Sequence, residues 1–143
     1  MAAVASHWGV TLAEFKARCA RAPQDATGQE LRALAEAIGL QAFVYQGSPD
    51  DLRDNLRQGR PMIVMITKPP DPVLRRTGVL GALALAISER VPHPPHWVVV
   101  IGLLGDHAVI VHDPAAGPIQ IKATTFNQWW AEQGNLCVLI ARK

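Results

Sequence analysis

His96 and Asp113 are the two residues whose types and positions best suit chemistry. His96 precedes an apolar, β-branched run over 98–104, Gly105-Asp106 interrupts the pattern, and 107–111 is apolar again. Apolar runs bounded by turn residues predict two buried strands joined as an antiparallel hairpin. Because the start of one strand of a hairpin lies beside the end of the other, we expect the two side chains to form a hydrogen-bonded pair.

An imidazole oriented by a carboxylate is what a general base needs, so the pair predicts acid–base catalysis. The same two residues also fit a purely structural role. Asp113-Pro114 is typical of turn initiation, and a histidine beside a strand commonly serves only as a hydrogen-bonding residue. The spacing alone leaves both interpretations open.

A metal centre is the least favoured interpretation of the histidines. Their spacing matches no usual ligand motif, and no cysteine or carboxylate cluster completes a tetrahedral shell. We therefore expect neither a metal nor a cofactor. The histidines concerned are His93, His96, His107 and His112.

The composition predicts one globular domain spanning 1–143, because 49% of the 143 residues are hydrophobic and 18% are charged. The net charge of +2, without a basic cluster, argues against nucleic-acid binding. No apolar run reaches the roughly 20 residues of a membrane span, and no charged segment of a signal peptide opens the chain. Cys19 and Cys137 form no disulfide scaffold, which favours a reducing, cytosolic setting.

Three capped helices are predicted before the hairpin. Thr11 with Glu14, and Thr27 with Glu30, have the spacing of capping boxes, while Ser48-Pro49-Asp50-Asp51 gives a cap, a first-turn proline and a capping acid. Each helix has an apolar stripe, and a short strand follows the second and the third. The stripes are Leu12, Phe15 and Cys19; Leu31, Leu34, Ala35 and Ile38; and Leu52 and Leu56; the strands are 41–45 and 61–67.

A strand, a late helix and a last strand are predicted after the hairpin. Thr124 or Thr125 is expected to cap the helix, and its Phe126, Trp129 and Trp130 are expected to cover the sheet. Helices first and a mostly antiparallel sheet afterwards indicate an α+β architecture. The two strands are 118–122 and 136–141.

The proline-rich segment 68–95 interrupts the strand pattern just before His96. It is predicted to be an insertion between two strands of the sheet. One interpretation is a lid or a wall of a substrate site, and the other is a passive surface loop.

Four segments, taken in order, carry a resemblance to one family. Residues 2–10 look like a helix that follows a nucleophile, 28–42 like the family's helix and following strand, 96–100 like its His-aromatic-valine strand, and 113–115 like its Asp-Pro turn. The chain thus resembles the papain-like peptidases that process double-glycine leader peptides (cysteine peptidase family 39). This bacteriocin-maturation family is usually fused to ABC exporters. The resemblance covers nearly the whole chain except 68–95.

The resemblance implies a papain-like α+β fold, with N-terminal helices packed on a mostly antiparallel sheet. It makes His96 the general base and Asp113 the group that fixes the tautomer of His96. Trp97, beside the base, is a candidate substrate contact. The implied reaction is attack by a cysteine thiolate on the carbonyl after the leader's glycine pair, without a cofactor.

The chain departs from the family at the nucleophile. The family's Cys-Gly motif, preceded by a glutamine that helps to bind the oxyanion, would fall a few residues before Met1. Cys19 and Cys137 are interpreted as small core residues rather than substitutes. The chain as written is therefore expected to be inactive, because loss of a triad's nucleophile costs many orders of magnitude in rate.

Two explanations of this departure stay open: a truncated leader peptidase, or a degenerate domain that binds a peptide or cargo without cutting it. Both imply a peptide or protein substrate with a leader segment, an ABC exporter as a partner, and a cytoplasmic location at the inner face of the membrane. A third hypothesis is a structural interaction domain in which 79–87 packs on a partner.

Overall fold

The structure is a computed structural model that describes residues 2–18, 26–67, 95–114 and 116–142. Helices dominate the first part of these ranges, and strands dominate the rest. The helices are α1 (Ala2–His7), α2 (Leu12–Arg18), α3 (Gly28–Ala37), α4 (Pro49–Arg57) and α5 (Ala123–Ala131). The strands are β1 (Leu40–Gln46), β2 (Met62–Thr67), β3 (Pro95–Leu104), β4 (Ala108–Asp113), β5 (Gly117–Lys122) and β6 (Leu136–Arg142).

The predicted α+β class is confirmed by a six-stranded sheet. The strand order is β1-β6-β2-β3-β4-β5, and every neighbouring pair is antiparallel. The last strand, β6, lies between β1 and β2, so the first and last strands of the described chain are neighbours in the sheet. The predicted hairpin is β3–β4, and it turns at Gly105, whose φ of +55° suits glycine.

The first helices begin where the sequence predicts, because side chains satisfy the free N–H groups at each start. The Thr27 hydroxyl accepts from the N–H of Glu30 at 3.2 Å, and the Glu30 carboxylate accepts from the N–H of Thr27 at 2.6 Å. Ser48 and Asp51 make the same two bonds at the start of α4. These bonds fix the direction in which each helix leaves its loop.

The sheet separates two apolar layers. The N-terminal layer lies between the sheet and α1, α2 and α3, and the C-terminal layer lies under α4 and α5, where Phe126 and Trp130 are fully buried. Strand β3 contributes to both layers, since Val99 packs in the N-terminal layer while Val98 and Val100 pack in the C-terminal layer. The centre of the hairpin is therefore buried on both faces, as its apolar run predicts.

The structure corrects two predictions of burial. Leu12 is exposed, because Phe15 faces the core and Leu12 stands at the first position of the short helix α2. Ile101 and Leu104 in the outer half of β3 are 48% and 46% exposed. A β-bulge after Val100 shifts the register there, so the regular alternation of side chains between the two packed faces is broken in this half of the strand.

The predicted cap of α5 is also wrong. The helix begins at Ala123, directly after β5, and neither Thr124 nor Thr125 occupies the N-cap position. The N–H of Ala123 donates instead to the carbonyl of His107 at 2.9 Å. A backbone contact with the β3–β4 turn thus sets the start of this helix.

The predictions for Cys19 and for 68–94 lie outside the described residues. Within the described ranges, no helix combines the length and the apolar character needed to cross a bilayer. No three potential metal ligands come together in that part of the chain either.

Replacing Ser48 with alanine should lower the free energy of unfolding by about 1 kcal/mol, because the N–H of Asp51 loses its acceptor. Thr124→Ala is the matched control, and it should change this free energy by less than about 0.5 kcal/mol, since Thr124 caps no helix. Urea unfolding followed by circular dichroism measures both variants. Equal losses in the two would contradict the assigned caps.

Candidate active site

The hairpin brings His96 and Asp113 to one end of the sheet. His96 is the second residue of β3, and Asp113 is the last residue of β4. Val99 lies opposite His112, so continuing the register by one residue places Asp113 beside Val98, two residues from His96. Because residues two apart on a strand share a face, the two side chains project from the same side of the hairpin.

The two side chains meet in a hydrogen bond, with His96 Nε2 lying 2.7 Å from Asp113 Oδ2. An ionised carboxylate has no hydrogen to give, so the shared hydrogen belongs to Nε2 and the carboxylate accepts it. This assigns the Nε2–H tautomer to the neutral imidazole and leaves Nδ1 as the basic nitrogen. The pair therefore has the arrangement of a base and the acid that orients it.

Asp113 is itself held in place. Its Oδ1 accepts from the N–H of Ala116 at 3.1 Å, in the turn that follows Pro114. The Asp113 side chain is 10% exposed and that of His96 is 23% exposed. A carboxylate bonded at both oxygens and mostly buried leaves unmet hydrogen bonds if it swings away, so the orientation of the ring is fixed.

Trp97 is anchored to the segment that leads into α3. Its indole N–H donates to the carbonyl of Ala26 at 2.5 Å, and its ring packs half-buried against the N-terminal layer. No sequence signal indicated this contact, since the two residues are 71 positions apart. A contact between Trp97 and a substrate stays a prediction.

A second polar cluster, which no sequence pattern predicted, lies at the same end of the sheet. Thr67 of β2 is opposite Pro95, the residue before His96, and is buried. The Thr67 hydroxyl donates to Glu132 Oε2 at 2.5 Å and accepts from Gln133 Nε2 at 3.4 Å. The available signal was a hydroxyl within an otherwise apolar strand, which needs a partner once it is buried.

Two solved structures are similar to this one over most of its length. The peptidase domain of Streptococcus ComA, a bi-functional ABC transporter involved in a quorum-sensing pathway, is 18% identical, with 99% of this chain and 87% of that chain covered and a TM-score of 0.65. A C39-like peptidase from Bacillus anthracis is 15% identical, with 87% and 63% covered and a TM-score of 0.59. The chain has the C39 peptidase fold. No family model and no curated protein matches the sequence.

The C39 fold expected from the resemblance is thus confirmed, and in it α1 lies against the β3–β4 hairpin and β6. Ala3 lines a cavity of about 250 Å³ together with Ile101 and His112 of the hairpin. At the other end of α1, the carbonyl of Trp8 accepts from Arg142 Nη2 at 2.8 Å. Val4 and His7 line the same cavity beside Val99, so α1 packs along the Val99 face of the hairpin.

Cys137 is remote from that pair. It lies opposite Val64 of β2, and Val64 lies opposite Val98 of β3. Two strand spacings and two residues thus separate its backbone from that of His96, about 12 Å in all. The thiol is fully buried and donates to the carbonyl of Tyr45 at 3.2 Å. Burial raises the pKa of the Cys137 thiol to about 11, so it stays neutral at physiological pH and fits the predicted core role.

The Cys137 thiol should resist alkylation in the folded domain, because only the thiolate reacts. In the Cys19→Ser variant, where Cys137 is the single thiol of the printed sequence, iodoacetamide at pH 8 should leave the native mass unchanged and label the urea-unfolded chain. Rapid labelling of the folded variant would contradict the assigned burial.

The same raised pKa makes stability depend on pH in the alkaline range. The folded state favours the protonated thiol. The contribution of Cys137 to the free energy of unfolding is therefore complete below the ordinary pKa of 9.0 and is lost as pH rises toward about 11. Urea unfolding across this range should show a decline that is smaller in Cys137→Ala. The same decline in both chains would contradict the assignment.

Nitrogen-15 NMR of the imidazoles should show His96, when neutral, with a protonated Nε2 and an unprotonated Nδ1. Asp113→Ala should return the ring to a mixture of tautomers. His107, exposed in the turn of the hairpin, is the matched control and should show a mixture in both proteins. A neutral His96 that carries its proton on Nδ1 would contradict the hydrogen bond as assigned.

Proposed function

We propose that this domain is a cysteine-type leader peptidase that cleaves after the glycine pair of double-glycine leader peptides. The observation that carries the proposal is the 2.7 Å contact between His96 Nε2 and Asp113 Oδ2. A C39 peptidase fold that spans nearly the whole chain supports it, since the pair stands within the architecture of a peptidase domain.

In this mechanism, Nδ1 of His96 takes the proton of a cysteine thiol, and the thiolate attacks the carbonyl carbon of the second glycine. The imidazolium then gives that proton to the departing amine, and the peptide bond breaks to leave a thioester. Nδ1 next activates a water molecule, which hydrolyses the thioester and restores the thiol. Throughout these steps Asp113 keeps its bond to Nε2–H and stabilises the imidazolium.

The nucleophile is the part of this mechanism that the two cysteines of the printed sequence do not provide. Cys137 is buried and neutral, and its backbone lies about 12 Å across the sheet from that of His96, while Cys19 lies outside the described residues. The resembling family carries its nucleophile ahead of the first helix, and α1 packs on the hairpin that contains His96. We therefore propose that a Cys-Gly segment ahead of α1 supplies the thiol and that the 143 residues alone do not cleave.

The second candidate function is a non-catalytic module of the same fold that binds a leader peptide or cargo. The placement of Cys137 favours it, because the described residues then keep His96 and Asp113 as a hydrogen-bonded pair without a thiol in reach. In both cases the proposed setting is the cytoplasmic face of an ABC exporter. The similarity to the peptidase domain of an ABC transporter supports this partner.

A cleavage assay on a synthetic double-glycine leader tests the proposal. The chain extended before Met1 by a segment with the family's glutamine and Cys-Gly motif should release the leader, whereas the 143-residue chain should not. In the extended chain, His96→Ala should lower kcat/KM by about 10³-fold or more, since a general base contributes roughly 10²–10⁴-fold and the thiol also loses its activator. His107→Ala is the matched control and should cleave normally.

Cleavage by the extended chain that survives His96→Ala would contradict the assigned base. No cleavage by the extended chain, combined with calorimetric binding of the leader, would favour the non-catalytic module. No cleavage and no binding would exclude both functions.

A further inference from the structure

The two edges of the sheet are built differently. β5, at one edge, contains Pro118, which has no N–H to offer a neighbouring strand, and it ends in Lys122. Prolines and lysines are the residues that block pairing at natural sheet edges. β1, at the other edge, has neither, and its seven residues carry no charge.

The outer side of β1 is also regular. Strand β1 pairs with β6 at seven consecutive positions, from Leu40 opposite Arg142 to Gln46 opposite Leu136, without a bulge. A strand without a bulge presents a straight row of backbone N–H and C=O groups along the side with which no other described strand pairs. Phe43, in the middle of the strand, is 53% exposed.

A shallow groove of about 370 Å³ follows this edge. One wall is Arg32 and Glu36 of α3, which form an ion pair at 2.8 Å, and the other is the β1 stretch 41–43. Ala42 packs in the N-terminal layer toward α3, so Phe43 projects from the opposite face of the strand. A strand added here would lie between an ion pair and an aromatic ring.

We propose that a second copy of this chain occupies this edge, so that two β1 strands pair antiparallel across a twofold axis. In this pairing the uncharged β1 of one copy lies beside the uncharged β1 of the other, so neither strand brings a charged side chain to the contact. Arg32 and Glu36 pair with each other at 2.8 Å, so the groove wall beside the edge carries no net charge that would repel a second copy.

Because the two edges of the sheet differ, this association stops at two copies. An open chain of molecules requires β1 of one copy to pair with β5 of the next, and Pro118 and Lys122 oppose that pairing. Self-pairing of β1 uses one edge of each copy and leaves only the two blocked edges outside. The product is a dimer with one sheet continuous across both copies.

The dimer is expected to be weak. An interface made of one strand edge and its flanking side chains is small compared with the roughly 1,200–2,000 Å² of stable complexes. The fraction of dimer should therefore rise with concentration in the range from about 10 μM to about 1 mM.

Sedimentation velocity over this concentration series, on the whole 143-residue chain, tests the proposal. The wild-type chain should move from monomer to dimer, and Phe43→Lys should weaken the association by about tenfold or more, because it places a charge on the pairing edge. Gln120→Lys, which puts the same charge on the exposed part of β5, is the matched control and should dimerise like the wild type. Gln41→Lys replaces Phe43→Lys if circular dichroism shows that the latter is unfolded.

Hydrogen exchange adds a readout that locates the contact. Amides of β1 that do not bond to β6 should become protected as concentration rises, while those of β5 should not change. A monomer at every concentration, a dimer that tolerates both lysine variants of β1, or growth into assemblies larger than two would each overturn the proposal.

Discussion

The hydrogen bond between the Asp113 carboxylate and the His96 imidazole is the contact on which the site depends. It settles which ring nitrogen carries the hydrogen, and so which one is free to act as a base. The bond exists because the β3–β4 register brings the start of β3 beside the end of β4. A slip of one residue would send one of the side chains to the opposite face and break the contact.

Several distant parts of the chain maintain that register. Both faces of the hairpin are packed, by Val99 on one side and by Val98 and Val100 on the other, so a slipped strand would expose apolar residues. The indole of Trp97 ties the start of β3 to Ala26. On the Asp113 side, the bond from the N–H of Ala116 keeps the carboxylate from turning into solvent. The site is therefore a property of the whole sheet rather than of two residues.

Local chemistry made much of this fold predictable. The caps of α2, α3 and α4, the hairpin and the histidine–aspartate pair all follow from spacings of a few residues and from the alternation of apolar and turn residues. Contacts between distant residues could not be read in this way. The insertion of β6 between β1 and β2, the bond between Trp97 and Ala26, and the cluster of Thr67 with Glu132 join residues whose proximity no periodicity encodes. The prediction of the start of α5 was wrong for the same reason. A backbone carbonyl from the hairpin turn accepts the N–H of Ala123, and neither threonine caps the helix.

The proposed role of His96, oriented by Asp113, is to activate a thiol delivered from the N-terminal side of α1. Its most direct test is the pH dependence of alkylation of a cysteine placed there, followed by mass spectrometry at that residue. An adjacent imidazolium stabilises a thiolate, so alkylation should remain fast well below the ordinary thiol pKa of about 8.5, and His96→Ala should move the midpoint back to that value. A midpoint near about 8.5 in both proteins would contradict the claim.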